Sequence, residues 1–303
     1  MSDSALFMLA FDHRKSIRPL FGIEGEPGEE DRARIGAAKE VVYEGLLAAT
    51  PRLPAGARPG LLVDEEFGTP VLERARATDV IAAVAVERSG QAEFQFEYED
   101  FAAHLERLRP ELAKALVRYN AGGDRELNDR QLERLRVLSD RLAVIDGTDL
   151  LFELLVPPTD DQLADHGGDR DRFDAELRPA LVRAAIEQIQ DAGIEVAIWK
   201  IEGIEDIEDC ESIAATCRRG GRSADCLILG RGADEAKVEH WIGTAAPTPG
   251  FGGFAVGRTI WWDAIAAHLT GEADRAATVE TIAARYLHFV DVYLAARNSA
   301  NVE

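Results

Sequence analysis

Residues 194–203 read Ile-Glu-Val-Ala-Ile-Trp-Lys-Ile-Glu-Gly (IEVAIWKIEG). The run 195–201 is short, rich in β-branched and aromatic residues, and followed by a glycine at 203. That is the pattern of a strand covered by apolar packing on both faces. Yet it carries a lysine, Lys200, near its end. Only five of the 34 basic residues are lysine (Lys15, Lys39, Lys114, Lys200, Lys237); the other 29 are arginine. Arginine keeps its proton, whereas lysine can lose it when buried near other charges. Lys114 lies in a second apolar run of the same kind, so these two lysines need an explanation.

Working outward, seven further runs share this character: 6–11, 60–64, 80–86, 113–119, 150–156, 225–230 and 253–257. Helical spacing of apolar residues falls between most of them, at 31–49, 98–107, 129–143, 170–192, 204–218 and 234–245, and twice more after the last run, at 260–269 and 276–297. The connection after the second run is read as short, and 157–171 as a long polar loop. Strands alternating with helices predict parallel pairing with right-handed crossovers. Eight such units predict an α/β fold of one closed (β/α)8 TIM barrel with an extra C-terminal helix, occupying residues 1–303 as one domain.

Composition narrows the function. The net charge of −21 argues against nucleic acid or an anionic membrane as partner. The three cysteines, Cys210, Cys217 and Cys226, form no CxxC pair, which suits a reducing cytoplasm. The apolar stretch after Met1 is too short and too soon charged for a signal peptide. Cys210 and Cys217 are expected as core residues of one helix. Trp261 and Trp262 are expected to pack the last helices on the barrel. The stripe Ile282, Tyr286, Phe289 and Tyr293 reads as core or as a subunit contact, which leaves a homo-oligomer open.

In a barrel of this type the chemistry sits at the C-terminal ends of the strands. Those ends hold Asp12-His13-Arg14, Asp64-Glu65-Glu66, Glu87-Arg88-Ser89-Gly90, Arg118, Glu153, Lys200 with Glu202, Gly230-Arg231 and Gly257-Arg258. Side chains alternate faces along a strand, and a charge is expensive against the helix layer. Lys114, Glu153 and Lys200 are therefore expected to point to the barrel centre. A buried lysine there is either half of a structural ion pair or an amine that forms an imine with a carbonyl, with Glu153 moving the protons. Gly-Arg at the ends of the last two strands is expected to bind phosphate, using close backbone approach and helix N-termini.

Taken together, FMLAFDHRKSI, LLVDEEFG, ALVRYNAGGD, FELLVPP, IWKIEG and PGFGGFAVGRTIWW resemble the tagatose-1,6-bisphosphate aldolase-like class I aldolases, and most of all the 2-deoxy-5-keto-gluconate-6-phosphate aldolase domain of inositol catabolism. The resemblance runs through nearly the whole chain in the same order. It implies a Schiff-base aldolase with no metal and no cofactor, acting on a phosphorylated sugar. It carries the imine-forming lysine onto Lys200, acid/base work onto Glu153, and substrate contacts onto Asp12, His13 and Arg14. Asp12 is taken as the third catalytic group, with Asp64, Glu66, Lys114 and Arg118 as further substrate ligands and Gly230, Arg231, Gly257 and Arg258 as the phosphate site.

Three features depart from that family: residues 1–303 hold no kinase sequence beside the aldolase-like one, Lys200 is followed by Ile201-Glu202-Gly203, and His13 stands where the sugar-bisphosphate branch has glutamine. A tagatose-1,6-bisphosphate or sulfofructose-phosphate aldolase, a transaldolase and a non-catalytic sugar-phosphate-binding barrel remain alternatives. A metal-dependent reading would use Asp64, Glu65 and Glu66. Of the six histidines only His13 sits at a strand end, so the usual converging imidazoles are missing.

Overall fold

The computed structural model describes residues 5–300. Strands β1 (Leu6–Ala10), β2 (Arg58–Val63), β3 (Ile81–Ala85), β4 (Leu112–Arg118), β5 (Asp149–Leu155), β6 (Ile198–Glu202), β7 (Asp225–Leu229) and β8 (Phe251–Val256) form a closed parallel barrel in chain order. Around it lie α1 (Glu29–Ala49), α2 (Glu65–Ala75), α3 (Phe101–Leu108), α4 (Arg125–Leu142), α5 (Asp160–Asp165), α6 (Arg170–Glu176), α7 (Arg178–Asp191), α8 (Ile207–Cys217), α9 (Glu235–Ala245), α10 (Arg258–Thr270) and α11 (Arg275–Ala300). This is the expected (β/α)8 barrel with an additional C-terminal helix.

The strand alternation makes two apolar layers. Leu6, Met8, Ala10, Leu62, Ala83, Leu112, Leu151, Leu227 and Ala255 fill the barrel interior. The alternate residues, such as Phe7, Leu9, Ala113, Phe152, Trp199 and Ile228, join the larger core between strands and helices. Closure between the last and first strands needs Gly253: its φ is +140°, and a Cβ there would lie 1.9 Å from the Leu6 carbonyl oxygen.

Two connections differ from expectation. The segment after β2 is the helix α2, whose N-cap Asp64 accepts the Phe67 N–H and whose first turn is acidic. Pro70 inside this helix masks it in the sequence. The polar segment 157–171 holds α5, started by a reciprocal cap between Thr159 and Gln162. The single helix expected over 170–192 is broken at Leu177 into α6 and α7, with Pro179 in the first turn of the second.

The C-terminal helix belongs to the core. Ile282, Tyr286, Phe289 and Tyr293 are buried, the Tyr286 hydroxyl donates to the Phe7 carbonyl, and the Tyr293 hydroxyl donates to the Phe251 carbonyl. Trp261 is buried and its indole N–H donates to the Ala10 carbonyl. All three cysteines are buried as free thiols, with Cys210 and Cys217 on α8. Among the described residues no helix is long and apolar enough to cross a membrane.

Candidate active site

The apolar filling of the barrel stops about halfway up, and a charged layer lies above it. Lys114 follows Leu112 on the inner face of β4, Glu153 follows Leu151 on β5, and Lys200 follows Ile198 on β6. Glu153 and Lys200 are register partners on adjacent strands, and Glu153 Oε1 lies 2.8 Å from Lys200 Nζ. Glu153 Oε2 lies 2.9 Å from Lys114 Nζ. Lys114 also binds Asp12 Oδ2 at 2.7 Å and Glu87 Oε1 at 2.9 Å, so three carboxylates surround one ammonium. Glu87 is itself fastened by the Arg14 guanidinium and by the Leu116 N–H, at 3.3 and 3.2 Å.

These contacts set the charge states. Burial tends to push Asp12 up, but the ammonium groups of Lys114 and Lys200, with His13, hold it well below the usual carboxylate range. Glu153 follows the same pattern: burial raises it, Lys114 and Lys200 outweigh that, and it stays ionised. Lys114 is disfavoured as a cation by burial, yet Asp12, Glu153 and Glu87 raise it well above an ordinary lysine. Burial dominates for Glu87, which is raised despite Lys114 and Arg14. His13 is lowered to about 3, first by burial and then by Lys39, Arg258 and Lys200, with Asp12 opposing, so its imidazole is neutral at pH 7.

This layer floors a cavity of about 460 Å³ at the C-terminal ends of the strands. Asp12, His13, Arg14, Lys114, Arg118, Glu153 and Lys200 all line it, as do Gly230, Arg231, Gly257 and Arg258. The His13 ring stands edge-on to Trp261, and its Nδ1 lies 4.0 Å from Asp12 Oδ1. Arg14 is 4% exposed and its charge is committed to Glu87 and Glu97.

The two Gly-Arg turns are not equivalent. Arg231 sits in the left-handed region at φ +49° and is held between Asp174, at 2.5 Å, and Glu202, at 3.1 Å. Its charge is already balanced. Arg258 has no carboxylate partner among the described residues and donates only to the Arg231 carbonyl, at 3.3 Å. Its guanidinium lies over Gly232, where a Cβ would come within 2.1 Å of it. Arg258 also opens α10, whose N-cap is Gly257 and which has no side-chain cap, whereas α9 is capped by Asp234. The N-terminus of α10 beside Arg258 has no side-chain cap, and Gly257, Arg258 and Thr259 line the cavity, a setting that suits an anion. Arg118, on β4 across the barrel, donates to the Gln91 carbonyl and has no carboxylate partner among the described residues either.

Two expected substrate ligands lie elsewhere. Asp64 is fully buried beneath the strand end, capping α2 and paired with Lys39 of α1. Glu66 is in the first turn of α2 and pairs with Arg32 at 2.9 Å. The reason is local: the chain leaves β2 at Val63 and turns into a helix, so strand alternation no longer applies from Asp64 onward. Glu65 likewise faces His104 and Arg107, and the three acids of this turn do not converge. Conversely, Glu87 and Glu202 line the cavity and were not counted as site residues. Their inward parity with Ala83 and Lys200 was the available signal. Among the described residues, Glu235, Glu239 and His288 have metal-ligand spacing; none lines the cavity, and His288 Nε2 shares an exposed hydrogen bond with Glu239 Oε1 at 2.6 Å.

The fold is shared with solved structures at low identity. The barrel is similar to fructose-bisphosphate aldolase from Plasmodium falciparum, solved in complex with TRAP and a small-molecule inhibitor: TM-score 0.65, 14% identity, covering 98% of this chain and 91% of that one. It is also similar to Cgl0159 from Corynebacterium glutamicum: TM-score 0.55, 18% identity, covering 95% of this chain and 87% of that one. No curated protein matches the sequence. A family model, described as "Uncharacterized protein conserved in bacteria (DUF2090)", matches residues 2–297, and the chain belongs to that family, on a (β/α)8 TIM-barrel fold.

Proposed function

We propose that the protein is a metal-independent, Schiff-base-forming aldolase acting on a phosphorylated keto-sugar or keto-sugar acid. The substrate that fits best is 2-deoxy-5-keto-D-gluconate 6-phosphate, cleaved to dihydroxyacetone phosphate and malonate semialdehyde. The observation that carries this reading is the chain Lys200–Glu153–Lys114, in which one carboxylate serves two lysines on the cavity floor.

The chemistry follows from the asymmetry between the lysines. Lys114 has three carboxylate neighbours and remains an ammonium. Lys200 has one, and that one can take its proton. The freed Lys200 amine adds to the ketone. Glu153 then protonates the carbinolamine hydroxyl, which leaves as water and gives the iminium. As the bond between the carbons α and β to the iminium breaks, its electron pair forms the enamine double bond and neutralises the iminium nitrogen. The proton of the neighbouring hydroxyl passes to the Glu153 carboxylate, and the aldehyde departs. Glu153 returns that proton to the enamine carbon. Hydrolysis then releases dihydroxyacetone phosphate and restores the amine. Asp12, held ionised, accepts a hydrogen bond from a substrate hydroxyl and keeps Lys114 in place. Arg258 and the free N-terminus of α10 take the phosphate, with Gly230, Gly257 and Arg231 shaping the turn. Arg118 takes the carboxylate at the other end of the sugar acid.

The test is to incubate the protein with dihydroxyacetone phosphate, reduce with borohydride and map the adduct by peptide mass spectrometry, with and without EDTA. The reading expects a stable adduct on Lys200 in both cases. No adduct, or an adduct on Lys114, would overturn it.

A further inference from the structure

Lys39 is a buried ionisable group that the reaction above does not use. It projects from α1, is 1% exposed, and has all three ammonium protons engaged. Nζ donates to the Phe11 carbonyl at 2.7 Å, to the His13 carbonyl at 3.0 Å and to the Asp64 carboxylate. Asp64 is 0% exposed and spends its other oxygen on the Phe67 N–H at 2.8 Å.

The two carbonyls flank Asp12. β1 ends at Ala10, and the last sheet bond on this side is Phe11 N–H to the Leu62 carbonyl, so the chain beyond has no ladder to hold it. Side chains from two different helices replace the ladder: Trp261 of α10 takes the Ala10 carbonyl, and Lys39 of α1 takes those of Phe11 and His13. Between these fixed points Asp12 is aimed inward, 2.7 Å from Lys114.

We propose that Lys39, with Asp64 as its counter-ion, is a positioning residue for Asp12: the pair clamps the backbone on both sides of Asp12 and so sets its contact with Lys114. The pair touches no substrate. The proposal assigns a use to a buried charge pair that a purely structural barrel could replace with apolar residues. It rests on the aldolase reading for its kinetic consequence, though not for its structural one.

Lys39→Met alone would leave Asp64 charged, buried and unpaired, and that variant could simply fail to fold. The informative variant is the double substitution Lys39→Met/Asp64→Asn. It removes both charges, and asparagine still caps α2. Two measurements are made on it. The first is amide hydrogen exchange of a peptide spanning residues 11–16, which needs no substrate. The second is the split of kcat against KM for cleavage, with borohydride trapping of dihydroxyacetone phosphate as control.

The proposal expects faster exchange at 11–16, a kcat lower by about 10²-fold, the order reached when a reacting group is displaced by an ångström, and a KM changed far less. The adduct on Lys200 should still form. Unchanged exchange, or unchanged kcat in a wild type that does form the adduct, overturns the clamp. If the wild type forms no adduct, the aldolase reading fails, and exchange alone decides the clamp: faster exchange supports it and unchanged exchange overturns it.

Discussion

Lys114 and Lys200 bind opposite oxygens of one carboxylate, Glu153 Oε2 at 2.9 Å and Oε1 at 2.8 Å. The two lysines therefore share a base while differing in everything else around them. Lys114 is enclosed by Asp12 and Glu87 as well; its removal takes a cation from three acids and leaves Asp12 with no ammonium partner, while Glu153 keeps Lys200 and Glu87 keeps Arg14.

Substitution separates these roles. Lys114→Met should destabilise the protein by about 3–5 kcal/mol, because it takes a cation from three buried carboxylates and leaves Asp12 with no other ammonium or guanidinium. Lys200→Met removes a cation from one carboxylate that keeps its second partner, so the loss of stability should be clearly smaller. Its activity, however, should fall on the order of 10⁴–10⁶-fold, the range seen when a covalent nucleophile is deleted. Thermal melts and single-turnover cleavage of both variants check this, and equal destabilisation would contradict it.

Glu153→Gln keeps the shape and the hydrogen-bonding reach but cannot carry a proton. Cleavage should slow by about 10²–10⁴-fold, the usual contribution of a positioned acid/base group. Pre-steady-state measurement should show the lag in imine formation itself. A normal rate of imine formation would assign the proton shuttle to another group.

Arg258 and Arg118 are expected to recognise different ends of the substrate. Arg258→Ala should raise KM for every phosphorylated substrate and abolish protection by inorganic phosphate. Arg118→Ala should raise KM only for substrates with a carboxylate at the aldehyde end, by about tenfold or more, as expected for a lost charged hydrogen bond. Comparing a sugar acid with a neutral keto-sugar phosphate in each variant would reveal any exchange of roles.

His13 provides a pH signature. Its folded value is about 3 against 6.5 ordinarily, so between these limits the unfolded chain holds a proton that the folded protein refuses. Stability therefore falls as pH drops through this window, by up to about 1.4 kcal/mol per pH unit from this group. His13→Gln has nothing to titrate there. Its acid limb between pH 6.5 and 3 should be shallower than that of the wild type in urea titrations, and parallel curves would refute the assignment.

Glu66 is predicted to be dispensable. Among the described residues its one ion pair is with Arg32, a half-exposed residue on the outside of the barrel, and such pairs contribute about 0–1 kcal/mol. Glu66→Gln should leave kcat and KM unchanged. A substrate-binding role would appear as a raised KM.

What could be read in advance and what could not have one physical dividing line. Eight apolar runs separated by helical spacing point to a parallel barrel, which covers both faces of every strand as an open doubly wound sheet does but leaves no edge strand. Lys114, Glu153 and Lys200 were legible since each interrupts a strand whose parity is set by neighbours such as Leu112, Leu151 and Ile198. Asp64 and Glu66 were misplaced because parity stops at a strand end, and Asp64-Glu65-Glu66 is equally the signature of a helix start. The Lys39–Asp64 pair was out of reach for another reason: Lys39 lies within α1 and Asp64 caps α2, and no local periodicity announces a partner 25 positions away.

The tyrosines of α11 carry one more consequence. Tyr286 and Tyr293 pin the carbonyls of β1 and β8, the two strands whose pairing closes the sheet. On the ribosome β1 emerges first, and β8 with its fastening helix emerges last. Until then the nascent sheet has two bare edges that can pair with other chains. Ring closure thus waits until β8 and α11 have both been made, and the two edges stay open until then.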